Sequence, residues 1–184
     1  TSTTSGRVID FNSTATHNTI EHCRLIGNSN AGTNVLRSVI YSNSTGTQDI
    51  NNLIRNNEIL NGGFGIYWNG ATSAPYNPGI VIEGNTISGG YLGGMYLRYF
   101  DAIQVRNNIV DVTSSAYTSN VYGIQFLNGY NGIELSGNDI RSKMHGVLFS
   151  SVAGVTGDRI RVYNNFITCI PNASVTSYGL HLAS

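Results

Sequence analysis

Short apolar clusters recur along the chain, and a small or polar pair interrupts each cluster at the same place. The pattern is apolar, any residue, small or polar, Asn or Cys, any residue, apolar, and its six copies cover residues 20–25, 54–59, 82–87, 105–110, 135–140 and 162–167. Runs of two to four alternating residues are too short for amphipathic helices and are typical of strands. Each copy therefore predicts two short strands separated by a sharp turn.

A second pattern, a Gly followed by apolar, any residue and apolar, comes after each copy. It begins at Gly65, Gly94, Gly123, Gly146 and Gly179; Ser38 takes this place in the first turn, and residues 8–11 belong to an earlier one. We expect a third strand here, whose alternate side chains face outward. The predicted outward positions are Ile40, Tyr67, Tyr96, Gln125, Leu148 and His181, then Ser42, Asn69, Arg98, Leu127, Ser150 and Ala183, two residues further on.

The spacing of the repeats varies while the motifs stay constant. The Asn/Cys position falls at Cys23, Asn57, Asn85, Asn108, Asn138 and Asn165. Such variation is typical of a solenoid, in which each repeat stacks on its neighbours and extra residues leave at a turn. We therefore expect parallel strands stacked into a single domain over residues 1–184.

The turn inside the first pattern has its own chemistry. The residue before each Asn or Cys is His22, Asn56, Gly84, Asn107, Gly137 or Asn164. These residue types tolerate the left-handed backbone region. A turn of that kind would point the next residue inward, where amides on coils about 4.8 Å apart can hydrogen-bond to one another. We predict an internal Asn ladder that Cys23 ends.

These motifs resemble the parallel β-helix repeats of the pectin lyase-like superfamily, and the resemblance spans essentially the whole chain. It implies an all-β, right-handed parallel β-helix of about six to seven coils. The superfamily includes polysaccharide lyases, glycoside hydrolases, epimerases, phage tailspikes, adhesin passengers and copper-export accessory proteins, so the fold leaves the activity open.

In the enzymes of that superfamily, the outer face of the Gly-containing strand forms the substrate groove. On this face the residues that we expect to contact a polysaccharide are Tyr67, Asn69, Tyr96, Arg98, Tyr99 and Gln125. Tyrosine offers a flat apolar ring with a polar tip, on which a sugar can stack. The alternative is that exposed tyrosines only cover apolar surface.

A catalytic function is the second hypothesis. A glycosidase needs clustered carboxylates, and none of the twelve outward positions is acidic. Arg98 with Asp101 is the one pair that begins to fit a calcium-dependent lyase, which would also need further acids for the metal. We therefore expect no cofactor, with calcium only in the case of a lyase. A structural stalk or adhesin passenger is the third hypothesis.

Charge and composition limit the classes of partner that we expect for this protein. Ten basic and ten acidic residues cancel, so we expect no nucleic-acid partner, and no apolar run is long enough for membrane insertion. The alternating charges of Glu21, Arg55, Glu83 and Arg106 predict a ladder of ion pairs rather than an active site. The four histidines are not expected to converge, and Cys23 and Cys169 fall too far apart for a disulfide. We expect an extracellular, secreted or cell-surface protein whose open ends meet further β-helix coils or a partner chain.

Overall fold

The computed structural model describes residues 5–45, 49–73, 76–153, 158–170 and 176–183. Within these ranges the chain forms three main parallel sheets around a large apolar core, with a smaller buried cluster of Val112, Val121 and Met144; strands are numbered in chain order. Sheet 1 contains β1 (Ile9–Phe11), β4 (Ile40–Asn43), β7 (Phe64–Asn69), β11 (Gly93–Arg98), β15 (Tyr122–Leu127), β18 (His145–Ser150) and β21 (Leu180–Ala183).

The other two sheets have six strands each. Sheet 2 contains β2 (Thr19–Glu21), β5 (Leu53–Arg55), β9 (Val81–Glu83), β13 (Gln104–Arg106), β16 (Glu134–Ser136) and β19 (Arg161–Tyr163). Sheet 3 contains β3 (Arg24–Ile26), β6 (Glu58–Leu60), β10 (Thr86–Ser88), β14 (Ile109–Val112), β17 (Asp139–Ser142) and β20 (Phe166–Cys169). The short strands β8 (Asn77–Pro78) and β12 (Phe100–Asp101) pair beside them, and a single 3₁₀ turn spans Val35–Arg37.

One coil consists of a strand from sheet 1, then sheet 2, then sheet 3. The described residues form six such coils and the first strand of a seventh, β21. Each strand pairs in parallel with the strands of the same sheet in neighbouring coils. The prediction of a right-handed parallel β-helix of about six to seven coils is confirmed.

The predicted turns and the predicted ladder are both present. The six turn residues named above all have positive φ, between 54° and 66°. Each ladder Oδ1 accepts the backbone N–H of the ladder residue one coil earlier, at 2.9–3.0 Å, from Cys23 through to Asn165. The Nδ2 group of each ladder Asn also donates to a carbonyl of the previous coil, as Asn108 does to Ile82.

Close packing of sheet 3 against sheet 1 explains the glycines of the second pattern. A Cβ on Gly94 would collide with Val110 Cγ1, and one on Gly123 would collide with Ile140 Cγ2. Side chains of sheet 3 therefore pack directly on bare backbone of sheet 1. A larger residue at Gly65, Gly94, Gly123 or Gly146 would push the two sheets apart at that coil.

The predicted charge ladder forms as two separate pairs. Arg55 Nε lies 2.6 Å from Glu21 Oε2, and Arg106 Nε lies 2.6 Å from Glu83 Oε2. These partly exposed pairs join neighbouring coils and contribute about 0.2–1 kcal/mol each. Sheet 3 has a similar pair, Arg24 with Glu58, that the sequence reasoning missed.

The ladder predicts that removing one amide destabilises the protein more in the middle of the ladder than at its end. Asn108 is 1% exposed, and its Oδ1 accepts both the backbone N–H and Nδ2 of Asn85. Asn108→Ala leaves these donors buried without an acceptor and should lower the free energy of unfolding by about 3 kcal/mol. Asn165→Ala, at the half-exposed end where water can replace the amide, should lower it by only about 1 kcal/mol. Urea unfolding measures both, and equal losses would contradict a buried, cooperative ladder.

Candidate functional site

The outer face of sheet 1 is built from two columns of side chains that run along the helix axis. The first column aligns Asp10, Tyr41, Tyr67, Tyr96, Gln125, Leu148 and His181. The second aligns Asn43, Asn69, Arg98, Leu127, Ser150 and Ala183. From the third coil onward these are the positions expected from the sequence.

The expectation for the second coil was wrong by one residue. Ile40 pairs with Ile66 and is fully buried, and Ser42 pairs with Trp68 and is also fully buried. Tyr41 and Asn43 take the outward places instead. A shift of one residue exchanges the two faces of a strand.

The error has a physical cause, because this coil has no Gly at the position used for the alignment. Val39 stands in register with Gly65, and its Cγ2 fills space that Gly27 and Gly62 leave open. Aligning Tyr41 with Tyr67 and Tyr96, instead of Ser38 with the glycines, would have given the correct register. Ser42 is inward because its hydroxyl donates to the buried carboxylate of Asp49, at 2.6 Å.

Tyr41, Tyr67 and Tyr96, here called the tyrosine row, stack face to face. Their ring centroids lie 5.1 and 4.8 Å apart, with interplanar angles of 10° and 7°. The Arg7 guanidinium lies 4.2 Å from the Tyr41 ring centroid and covers the end of the row. Both faces of Tyr67 are therefore covered. Tyr41 is only 5% exposed, so the half-buried Tyr67 and Tyr96 are the members of the row that present ring edges and hydroxyl groups to solvent.

Burial changes the chemistry of these hydroxyl groups. Desolvation, with smaller contributions from the neighbouring Tyr96 and Tyr41, raises the pKa of Tyr67 to about 12. Burial also raises the pKa of Tyr41, with Arg7 acting against it. At neutral pH both phenols are protonated, so each can donate one hydrogen bond and accept others.

Polar side chains of the second column lie beside the tyrosine row. Asn69 is buried, and its Nδ2 donates to Asn43 Oδ1 at 2.7 Å, so Asn69 positions the exposed amide of Asn43. Arg98 is held from two sides: Nε donates to Asn128 Oδ1 at 3.2 Å, and Nη2 donates to the Tyr99 hydroxyl at 2.9 Å. Its guanidinium also lies over the Tyr99 ring, 4.5 Å from the centroid.

Loops beside the second column bring more tyrosines together. The rings of Tyr76 and Tyr130 stack at 4.1 Å between centroids, and the Tyr99 ring lies parallel to Tyr76 at 6.5 Å. Tyr99 has positive φ, which turns the chain out of β11 at this point. Tyr76 and Tyr130 are two coils apart, and sequence reasoning did not bring Tyr130 into the site.

Arg98 and Asp101, the candidate catalytic pair, are each bonded to other residues. Asp101 Oδ1 accepts a hydrogen bond from Asn131 Nδ2 at 2.6 Å, whereas Arg98 uses the partners described above. Asp10, the carboxylate of the first column, pairs with Arg7. Across the described ranges, no group of three or more His, Cys, Asp or Glu side chains is arranged to hold a metal ion.

The histidines converge more than the sequence indicated. Rings of Tyr122 and His145 stack at 4.6 Å, and rings of Tyr178 and His181 stack at 4.4 Å, with Tyr178 lying beside His145 at 5.9 Å. Burial lowers the pKa of His145, and the nearby His181 lowers it further. The expectation of separated histidines was wrong for this pair, because stacking brings residues 36 positions apart onto adjacent coils.

Comparison with protein families agrees with this architecture. Residues 13–167 match the family described as a right-handed β-helix region. The chain belongs to that family. Searches among curated proteins and among solved structures found no match.

Membership of the β-helix family establishes the fold and leaves the activity to be argued from the site. In the described part of this β-helix, no helix is long and apolar enough to cross a bilayer. Cys23 and Cys169 are both free thiols. Cys23 ends the ladder as predicted, but through its backbone N–H, and the residue is exposed rather than interior.

The buried phenol of Tyr67 predicts a specific loss of stability in alkali. A pKa raised to about 12 means that the stabilising neutral form is fully present below about pH 10 and is lost between about pH 10 and about pH 12. Tyr67→Phe keeps the stacked ring and removes the ionisable group. Its free energy of unfolding should therefore fall less steeply over this window than that of the wild type. Urea unfolding at a series of pH values tests this, and parallel curves would contradict it.

Proposed function

We propose that this β-helix is a non-catalytic module that binds a polysaccharide along the outer face of sheet 1, outside the cell or at its surface. The observation that carries the proposal is the tyrosine row. It places three tyrosine rings in line with the helix axis, with centroids about 5 Å apart, and two of them, Tyr67 and Tyr96, reach the surface on adjacent coils. A linear polymer of hydroxylated units can lie along such a line and meet the same kind of group on these two coils, followed by Gln125 on the next.

Hydrogen bonding to ring edges is the proposed mode of contact. The stacked faces of Tyr67 and Tyr96 leave no gap for a sugar ring, which departs from the face-stacking mode that the sequence suggested. Phenol and amide groups instead offer donors and acceptors that match hydroxyl groups. In this arrangement Tyr67, Tyr96 and Gln125 contact the polymer, Asn69 supports Asn43, and Arg98 with Tyr99 forms the border.

Charge supports a neutral or weakly charged ligand. The chain has no net charge, and the outer columns carry Arg98 and Asp10 as their main charges, with Asp10 paired to Arg7 beside the column. Long-range attraction of a strongly charged polymer would need an excess of one sign. Local recognition by shape and hydrogen bonds is the mode that this surface favours.

The positions of the carboxylates support a binding role over hydrolysis. Asp10 lies in the first coil and Asp101 in the fourth. Three coil spacings separate them by about 14 Å along the axis. Glycoside hydrolysis needs two carboxyl groups about 5–9.5 Å apart. Neither group can assist the other at one glycosidic bond.

Removing hydroxyl groups without removing rings gives the sharpest test. The double variant Tyr67→Phe with Tyr96→Phe keeps the stack and deletes two donors. On a glycan array of neutral and acidic polysaccharides, followed by titration of any ligand found, it should bind about tenfold more weakly or worse than the wild type. Tyr163→Phe, an exposed tyrosine on sheet 2, is the matched control and should bind normally.

Two other outcomes would overturn the proposal. A wild-type protein that binds no polysaccharide would favour a structural stalk. Cleavage of an acidic polysaccharide that requires calcium, stops with chelator and is abolished by Arg98→Ala would establish a lyase instead.

A further inference from the structure

Two histidines and two tyrosines form one stack of rings that joins three coils of the molecule. The Tyr122 ring lies 4.6 Å from the His145 ring and the Tyr178 ring lies 5.9 Å from it, between centroids, with interplanar angles of 23° and 18°. Tyr178 in turn stacks on His181 at 4.4 Å. The imidazole of His145 is therefore held between two tyrosine rings, one on the coil before it and one on the coil after it.

The enclosed imidazole of His145 has one nitrogen without a hydrogen-bond partner. The residue is only 6% exposed, and no described residue bonds to its buried Nδ1. A neutral imidazole has one N–H and one bare nitrogen, so the proton can lie on Nε2 while Nδ1 stays bare. A protonated imidazole has an N–H at both nitrogens. Protonation of His145 would therefore leave a buried N–H without an acceptor, which is unfavourable.

The groups around His145 do not compensate a positive charge. The titratable and charged side chains of the described elements beside it are Tyr122 of β15, Cys169 of β20, Lys143 of the turn before β18, and Tyr178 with His181 of residues 176–183. None of them is a carboxylate, and no Asp or Glu of the described ranges forms an ion pair with His145. The Lys143 ammonium donates to two carbonyls of the loop at residues 115–117. Between about pH 5 and about pH 7 only the two histidines of this set titrate.

The stack stabilises the neutral form of His145. Burial lowers the pKa of His145 below its ordinary value of 6.5, and the charge that His181 can carry lowers it further. The π electrons of the two tyrosine rings attract a cation and act in the opposite direction. They cannot accept the Nδ1–H, because in nearly parallel rings this group points along the ring plane and not at the tyrosine faces.

We propose that His145 is an acid-sensitive switch between two coils, and that its protonation opens the contact of β18 with residues 178–183. The backbone bonds of this contact begin at the stack: Gly146 N–H donates to Tyr178 O at 2.9 Å, and Val147 N–H donates to Gly179 O at 2.8 Å. The open state binds a proton on His145 at its ordinary pKa, and the closed state binds it only at a lower pH. The contact is therefore fully stable above about pH 6.5 and loses stability as the pH falls below that value. The switch does not depend on the proposed polysaccharide binding.

Amide exchange measured by NMR at about pH 7.5 and about pH 5, corrected for the intrinsic exchange rates, tests the switch. The N–H groups of Gly146 and Val147 should lose protection several-fold at the lower pH. The N–H of Gly70, which donates to Arg98 O at 2.9 Å, is the internal control and should keep its protection. Unchanged protection of Gly146 and Val147 would contradict the proposal. An equal loss at Gly70 would also contradict it, because acid would then loosen the whole β-helix.

The variant His145→Phe keeps a ring in the stack and removes the titrating group. An aromatic ring is compatible with this column, since Phe64 and Tyr122 occupy it on other coils. The acid-induced loss of protection should disappear in this variant. The matched control His22→Asn removes an exposed histidine at a turn position where Asn56 stands on the next coil, and it should keep the wild-type response. A His145→Phe protein that still loses protection in acid would overturn the proposal.

If His145→Phe fails to fold, the variant His181→Gln decides. It removes the neighbouring imidazole and leaves His145 in place. The midpoint of the NMR titration of His145 should therefore rise, and the acid-induced loss of protection should become smaller. An unchanged midpoint in this variant, or a wild-type midpoint at or above 6.5, would overturn the proposal.

Discussion

The hydrogen bonds between internal asparagines fix how one coil lies on the next. Each ladder amide accepts from the coil before it and donates to backbone of that coil, so the position of Asn108 determines those of Asn85 and Asn138. The residue before each Asn also helps to fix this register, because its left-handed backbone conformation points the amide inward. Without this register the apolar columns, the glycine column and the outer row would not align.

The outer surface is a direct consequence of that register. The register brings tyrosines of consecutive coils side by side, and their rings stack to form the tyrosine row on sheet 1. The same stacking that orders the rings also covers their faces. As a result, Tyr67 cannot offer an open ring face to a ligand. It can offer only its ring edge and its hydroxyl group.

The sequence predicted the parts of the structure that local chemistry determines, and failed where a motif had been replaced. The six turn residues and the ladder could be predicted because one short pattern encodes both the backbone conformation and the inward amide. Ile40 and Ser42 were misplaced because Val39 stands where other coils have Gly. The stack of Tyr76 with Tyr130 could not be predicted, because it depends on how loops of different length return to the axis. The stack of His145 with Tyr122 could have been predicted, because each residue directly precedes the Gly of the second pattern and the two pair in register.

Hydrogen–deuterium exchange of the ladder amides tests the central claim most directly. The backbone N–H groups of Asn57, Asn85 and Asn108 are each bonded to a buried Oδ1. They should exchange only through global unfolding, with a free energy of exchange equal to that from urea unfolding. Exchange of these three groups at the rate of the exposed loop amides would show that the ladder does not hold the coils in register.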